Sequence, residues 1–453
     1  MFPDSDLAKT MSCGETKSMY LSCFGIAPYF KSLVEKTAKT NLYIVMFDES
    51  LNKELQKKQI NILIRTWHDN KISSRYYLSD FLGHACAVNI LDTFEKHIEL
   101  NLGLKNIIQV SMDGPNVNWS FFEKLQVKIE KDFSNKLIDV GSCGLHILHN
   151  AFKAGISETK WDIGYCLSCL HTLFDNVPAR REDFIQVSES GCLFPLPFCS
   201  HRWLENIKVC QRALDILSDV NSFVDAVEAK KVKNPDTKSF DIVKTFCRDK
   251  FTKARLQFII SIGNVVERFL KLYQSDKSML AFLTNDLGHV VRSLMNRFIK
   301  SSIIEKAPTV QKLCKVDVLN QENQKSYNQI DVGFAAELEL KELIGKKLVS
   351  ERQVLDFKME CRGMLQTIVS RIHKKSPLTY TLVRNRNSLD PCEIIKNDED
   401  KSCERFKRVL NVLHACSKVD IGNCDIILDE YRVFLRSARH SKHLSCLIKK
   451  INH

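Results

Sequence analysis

The chain has 453 residues, 44% of them apolar and 26% charged, which is enough to bury a sizeable core and excludes a disordered chain. Its 66 basic residues against 54 acidic ones give a net charge of +12, which suits a polyanionic partner and equally a plain basic globular protein. No run of about 18 uncharged apolar residues occurs, and the N-terminus shows no basic segment leading into an apolar one, so neither a membrane span nor a secretory leader is expected. The 17 cysteines, an odd number without regular spacing, point to a reducing intracellular compartment and to thiols used as small core residues.

As a prior, this length means two to four domains. Residues 1 to 40 read as short helical pieces. Ser18 to Phe24 and Ile26 to Val34 carry apolar residues at helical intervals, Pro28 interrupts them, and Lys31, Lys36 and Lys39 line the end. LYIVMF at 42–47 is an almost unbroken apolar run, the pattern of a strand buried on both faces. QINILIRTWHD (59–69) and SRYYLSDFLG (74–83) read as two more strands joined through a polar turn at 68–71, which predicts an antiparallel meander. In 85–102, Val88, Leu91, Phe94 and Ile98 share one helical face, and Gly103 stops the helix. Strand 107–112 comes next. A strand–helix–strand order favours a right-handed crossover, which makes 107–112 parallel to the first strand. A helix from Trp119 to about Phe133, a fifth strand LIDVGS at 137–142 and a helix over 143–155 ended by Gly155 complete the pattern. The sum is an α/β core of the ribonuclease H type, with a mixed five-stranded sheet.

From about residue 158 the pattern turns helical. WDIGYCLSCLHTLF is followed by a proline-containing connector at 191–203 and by long helices at 203–229, 238–275 and 278–306. Ile259, Ile262, Val266, Phe269 and Tyr273 make an apolar stripe, read as a bundle core. A more polar patch at 308–335, helices over 335–375, a loop at 376–402 and short helices at 403–416 and 424–438 end the chain. The predicted domains are a helical lead-in (1–40), the ribonuclease H-like core (41–157), an all-helical insertion (158–375) and a C-terminal loop and helices (376–453).

Two apolar strands end in a carboxylate: Asp48 closes the first, and Asp113 closes the fourth, ahead of the turn made by Gly114 and Pro115. Parallel pairing of those strands sets both carboxylates on one rim of the sheet. Phosphoryl transfer with divalent metal needs several carboxylates converging on one point, and magnesium takes only a few of them because it keeps several waters. An aspartate at a strand end also serves simply as a turn or cap residue, so both readings stand at this point.

FDES (47–50), MDGPNVNW (112–119), CGLH (143–146) and HRWLEN (201–206) occur in that order. Together they resemble the hAT-type transposase domain, in particular its transposon-derived animal members. The lead-in SCGETKSMYLSCFGIAPYF is similar to the segment before that core, and the resemblance covers about residues 10 to 445. It implies an Asp–Asp–Glu site on a ribonuclease H-like core interrupted by a helical insertion. Asp48 and Asp113 would be the first two carboxylates, with Mg²⁺ or Mn²⁺ as the ion if the site is active. It further implies DNA as partner and the nucleus as location. Cys143 and His146 match a Cys-x-x-His motif near the active site. Arg202 and Trp203 match an Arg–Trp pair whose tryptophan stacks on an extruded base, a contact worth about 1–3 kcal/mol. Packing of Trp203 on the bundle at a helix start is the competing reading.

Two departures qualify the resemblance. The family's glutamate follows an apolar helix, whereas SCERF at 402–406 follows NDEDKS; Glu404 is therefore read as a decoy, and the chain as ending before the glutamate is reached. The BED zinc finger that commonly precedes the core is absent. Separately, Cys143, His146, Cys166 and Cys169 form CxxH…CxxC, close to a zinc spacing, with buried thiols and a core histidine as the alternative. Three functions compete. The first is a transposase-derived protein with an incomplete site and residual DNA or chromatin binding. The second is an active metal-dependent transposase or nuclease, its third carboxylate drawn from Glu404, Glu205 or Glu49. The third is a helical scaffold for protein partners.

Overall fold

The computed structural model describes residue 6 and residues 12–189, 193–274 and 277–440. Gly191 and Cys192 of the expected connector, the lead-in before residue 12 apart from Asp6, and 441–453 of the C-terminal segment lie outside them. The described chain divides into two compact units. One is built from 1–140 with 407–434, the other from 141–406 with the residues after 434. The lead-in thus belongs with the sheet, and the helix after Cys143 belongs with the helical unit.

The sheet unit opens with a helical run of α1 (Glu15–Leu21), a π turn (Ser22–Ile26) and α2 (Ala27–Thr40). β1 (Tyr43–Asn52), β2 (Lys57–His68) and β3 (Lys71–Leu82) form the expected meander. Asp69 and Asn70 both take positive φ in the tight turn between β2 and β3, a backbone that Asp and Asn tolerate and that matches the twist of a hairpin. α3 (Ala87–Phe94) runs on through a π turn (Glu95–Glu99) to Gly103, whose φ of +77° ends it. β4 (Ile107–Ser111) then pairs parallel with β1, giving the order β3-β2-β1-β4. α4 (Asn116–Phe133) starts directly after Pro115, three residues earlier than predicted, because proline's fixed φ and missing N–H suit a helix start. Tyr43, Val45 and Phe47 of β1 and Ile60, Ile62 and Ile64 of β2 are buried. Phe47 meets Phe94 of α3 and Phe121 of α4 edge-on, at centroid distances of 5.7 and 5.5 Å.

The expected fifth strand does not form. Ile138 N–H donates to the Ile108 carbonyl at 2.7 Å, a single rung beside β4. The neighbouring amides are taken elsewhere: Lys136 N–H goes to the Cys416 carbonyl at 3.4 Å and Leu137 N–H to Gln126 Oε1 at 2.9 Å. The sheet is therefore four-stranded and mixed.

The helical unit contains α5 (Gly144–Glu158), α6 (Ile163–Phe174), α7 (Pro178–Val187), α8 (Ile207–Asp215), α9 (Leu217–Glu228), α10 (Lys238–Arg248), α11 (Thr252–Tyr273), α12 (Leu280–Met295), α13 (Ser301–Glu305), α14 (Val310–Leu313), α15 (Phe334–Gly345) and α16 (Glu351–Lys375). Each long helix expected from periodicity is thus two shorter ones, some with defined caps. Ser350 and Gln353, for example, close a capping box at the start of α16. The stripe on α11 is core: Ile259, Ile262 and Val266 are fully buried. α5 lies close against α16, where a Cβ on Gly155 would fall 2.5 Å from Ile368 Cγ1 and 2.9 Å from the Met364 carbonyl oxygen.

Residues 376–402 are not a loop. Ser376 and Asp390 accept the Leu378 and Cys392 amides at 3.0 and 2.8 Å, and Pro377 and Pro391 occupy first helical positions. These caps start a 3₁₀ turn (Pro377–Thr379), α17 (Thr381–Asn385), a further 3₁₀ turn (Arg386–Leu389) and α18 (Pro391–Lys396). α19 (Glu399–Ala415) and α20 (Ile421–His440) come after, both longer than the helices expected there.

Candidate functional site

β1 delivers Asp48 and β4 delivers Asp113. The ladder pairs Ile44 with Gln109, Val45 with Val110 and Met46 with Ser111. Asp48 and Asp113 each stand two residues beyond the Met46–Ser111 pair, Asp48 still within β1 and Asp113 past the end of β4. β1 continues past this point paired only to β2, with Asp48 opposite Asn61 and Glu49 opposite Ile60. β4 stops at Ser111, and Met112 is buried as an anchor just ahead of Asp113. Asp48 is exposed and Asp113 half-buried.

Glu49 joins these two. Its carboxyl is held above the usual carboxylate range, first by burial and then by the negative charges of Asp48 and Asp113, against the opposing pull of Lys58. Lys58 reaches Glu49 Oε2 at 3.7 Å from the neighbouring strand, where it pairs with Leu51 in the ladder. The sheet unit therefore sets Asp48 and Asp113 within electrostatic reach of Glu49, with the Lys58 ammonium beside it. Glu49 is one of the three candidates for a third carboxylate. Lys58 is not among the residues expected from sequence: only the β1–β2 register, two positions along from Glu49, reveals it.

The remaining sequence candidates fall in the helical unit. Cys143 caps α5 at its N-terminus and His146 sits one turn in, with ligand atoms within 4.8 Å of each other. Burial pushes the Cys143 thiol up. The His146 side chain and the backbone N–H groups of His146 and Leu145 more than offset this, so the thiol ends below its ordinary value. Among the described residues, Cys166 and Cys169 do not gather with that pair into a ligand group. Both lie on α6. Cys169 is in the core, and burial holds the Cys166 thiol up at about 11.

Trp203 opens a 3₁₀ turn (Trp203–Asn206) and is only 4% exposed, packed edge-on against Phe198 at 5.9 Å. That position agrees with the packing reading of Trp203 at a helix start, the competitor of base stacking. Arg202 is exposed and pairs with Glu205 at 3.3 Å. His149, one turn after His146, is buried; its Nδ1 accepts the Leu204 amide at 3.3 Å and burial lowers its pKa to about 4. Glu404 lies exposed on α19.

The sheet rim offers aspartate oxygens, the donor type that hard cations take. No protein-family model matches the chain, and no curated protein matches it.

Proposed function

We propose that the chain is a transposase-derived nucleic-acid-binding protein of the hAT type. In this reading Asp48 and Asp113 hold a divalent cation against backbone phosphate, on a sheet of ribonuclease H descent, and the site lacks the third carboxylate that strand cutting requires. The observation that supports it is the β1–β4 register: Met46 pairs with Ser111, and Asp48, within β1, and Asp113, just past β4, each follow two residues later.

The residues fit Mg²⁺ or Mn²⁺. Both aspartates offer oxygen ligands, and Glu49, raised first by burial, is raised further by their charges, the like-charge crowding that a cation relieves. When bound, such an ion polarises a phosphoryl oxygen and acidifies a coordinated water. The protein's own part is positional. The two strands set the aspartate spacing, Lys58 holds Glu49 and tempers its charge, and the excess of 12 positive charges draws a polyanion. Glu49 follows Asp48 directly on the same strand, where the alternation of a strand turns the two side chains to opposite faces. We therefore assign it to shaping the local charge rather than to completing the triad. The nucleus is the location that goes with this reading.

Strand cleavage and strand transfer with Mg²⁺ or Mn²⁺, alongside DNA binding across a salt series, test it. Binding that weakens with salt, without cleavage, is expected. Metal-dependent cleavage abolished by Asp113→Asn would show a complete site and overturn the assignment of a missing carboxylate. Absence of binding at low salt would overturn the nucleic-acid reading.

A further inference from the structure

The helical run from Glu15 to Thr40 is anchored at only one end. Val34, Thr37 and Ala38 are buried, Tyr77 Oη donates to Glu35 at 3.1 Å, and Asn106 Nδ2 donates to the Ala38 and Lys39 carbonyls at 3.2 and 2.9 Å. Every residue from 12 to 32 is exposed. That exposed part contains an uncharged stretch, Ser18 to Phe30, bounded by Lys17 and Lys31. Within it Met19, Tyr20, Phe24, Ile26, Tyr29 and Phe30 lie open, Phe24 at 76%. A helix gains most of its stability by packing an apolar face, and one with large apolar groups around it belongs inside a packed assembly.

We infer that this segment pairs with the same segment of a second copy, in antiparallel contact about a two-fold axis between Phe24 and Gly25. Three observations favour a second copy over an unrelated partner. First, the stretch is self-complementary when read against its own reverse. On the face that holds Phe24 and Gly25, Tyr20 comes opposite Tyr29 and Leu21 opposite Pro28, while Lys17 and Lys31 meet Ser32 and Ser18 rather than each other. Second, the largest side chain at the centre meets the smallest: Phe24 of one copy lies over Gly25 of the other, and nothing lies within 4 Å of the place a Cβ on Gly25 would take. The π turn Ser22–Ile26 falls at this same centre. Third, the open side chains that flank this face, Tyr20, Leu21, Phe24 and Tyr29, offer roughly 500 Å² per copy, about 1,000 Å² for the pair, the size at which specific interfaces begin. The absence of charge across the stretch suits the core of a homodimer interface.

Sedimentation velocity on the full chain over a concentration series tests this, with Phe24→Asp and Gly25→Leu as separate variants. The wild-type chain is expected to dimerise. Phe24→Asp is expected to weaken dimerisation about a hundredfold, as loss of a central anchor does. Gly25→Leu, which meets no atom of its own protomer, is expected to weaken it as well, and circular dichroism of both variants should match wild type. A monomer at every concentration, or a dimer unchanged in both variants, would overturn the pairing. So would a monomer whose segment is protected only by lipid vesicles, which would assign the face to a membrane surface.

Discussion

The sheet unit and the helical unit treat their conspicuous residues in opposite ways. In the sheet unit the acids that follow the apolar runs stay at the rim, although β1 itself continues past Asp48 to Asn52: Asp48 is exposed and Asp113 is half-buried. In the helical unit the residues that stand out by type, Trp203, Cys169 and His149, are buried among helices. The difference is one of topology. An acid that follows an apolar run of a strand comes to the edge of the sheet's buried region, whereas positions three or four apart on a helix face the core as readily as solvent. Residue type alone therefore did not show which side chains of the helical unit are buried, whereas the place after an apolar run did show where the sheet unit's acids come to the surface.

The largest effect that would break this contrast is at Trp203. As a core residue packed on Phe198, its replacement by alanine is expected to destabilise the helical unit by about 3–5 kcal/mol in denaturant unfolding. Unchanged stability with a selective loss of DNA affinity would instead restore a surface role and erase the contrast.

Acid comes next. His149 is neutral when folded, with its pKa lowered from 6.5 to about 4 by burial, and His373 is lowered likewise. The unfolded chain then takes up these protons before the folded one does, so their contribution is intact above pH 6.5 and is lost as pH falls toward 4. For the buried His149 the loss amounts to about 3 kcal/mol when complete. Thermal melts from near neutral pH down to about pH 5 should show the helical unit weakening, and His149→Gln should flatten that slope. A flat profile in the wild-type protein would mean that His149 is solvated.

The same topological difference explains what was legible in the sequence. Three meandering strands and a parallel fourth were readable because apolar runs and polar turns mark strands one by one, and because a crossover dictates pairing direction. LIDVGS carried the same apolar signal, yet its register is decided by competitors for its amides, Cys416 and Gln126, which lie far off or on another element. Helix breaks at Ile216 and at Asp249–Phe251 were hidden, since apolar periodicity runs straight across them. Lys58 was hidden because only the cross-strand register places it near Glu49.

A smaller effect probes the close packing of the helical unit. Gly155→Ala would push a methyl group against Ile368 and the Met364 carbonyl oxygen. Because a backbone carbonyl cannot swing aside as a side-chain end can, a loss of about 1–3 kcal/mol is expected on unfolding. A neutral result would show that α5 and α16 shift apart freely.

The smallest stability effect, and the one that separates the two units most sharply, is expected at Asp48→Asn. The substitution removes an exposed charge, so stability should move by no more than about 0.5 kcal/mol. The direction is informative. Asp48 helps to raise the Glu49 carboxyl, and an acid raised in the folded state destabilises it above that pKa and ceases to do so as pH falls through it. Replacing Asp48 by a neutral amide would lower the Glu49 pKa toward its ordinary range, so the change near neutral pH should be a slight gain. NMR titration of Glu49 reads the shift directly, and titration with Mg²⁺ should show loss of the ion's stabilising effect in the same variant. Gain in stability with loss of cation binding is the mark of residues placed for a ligand at the expense of the fold. If Asp48→Asn instead costs as much as a core substitution, the rim acids are structural, and the contrast between the two units disappears.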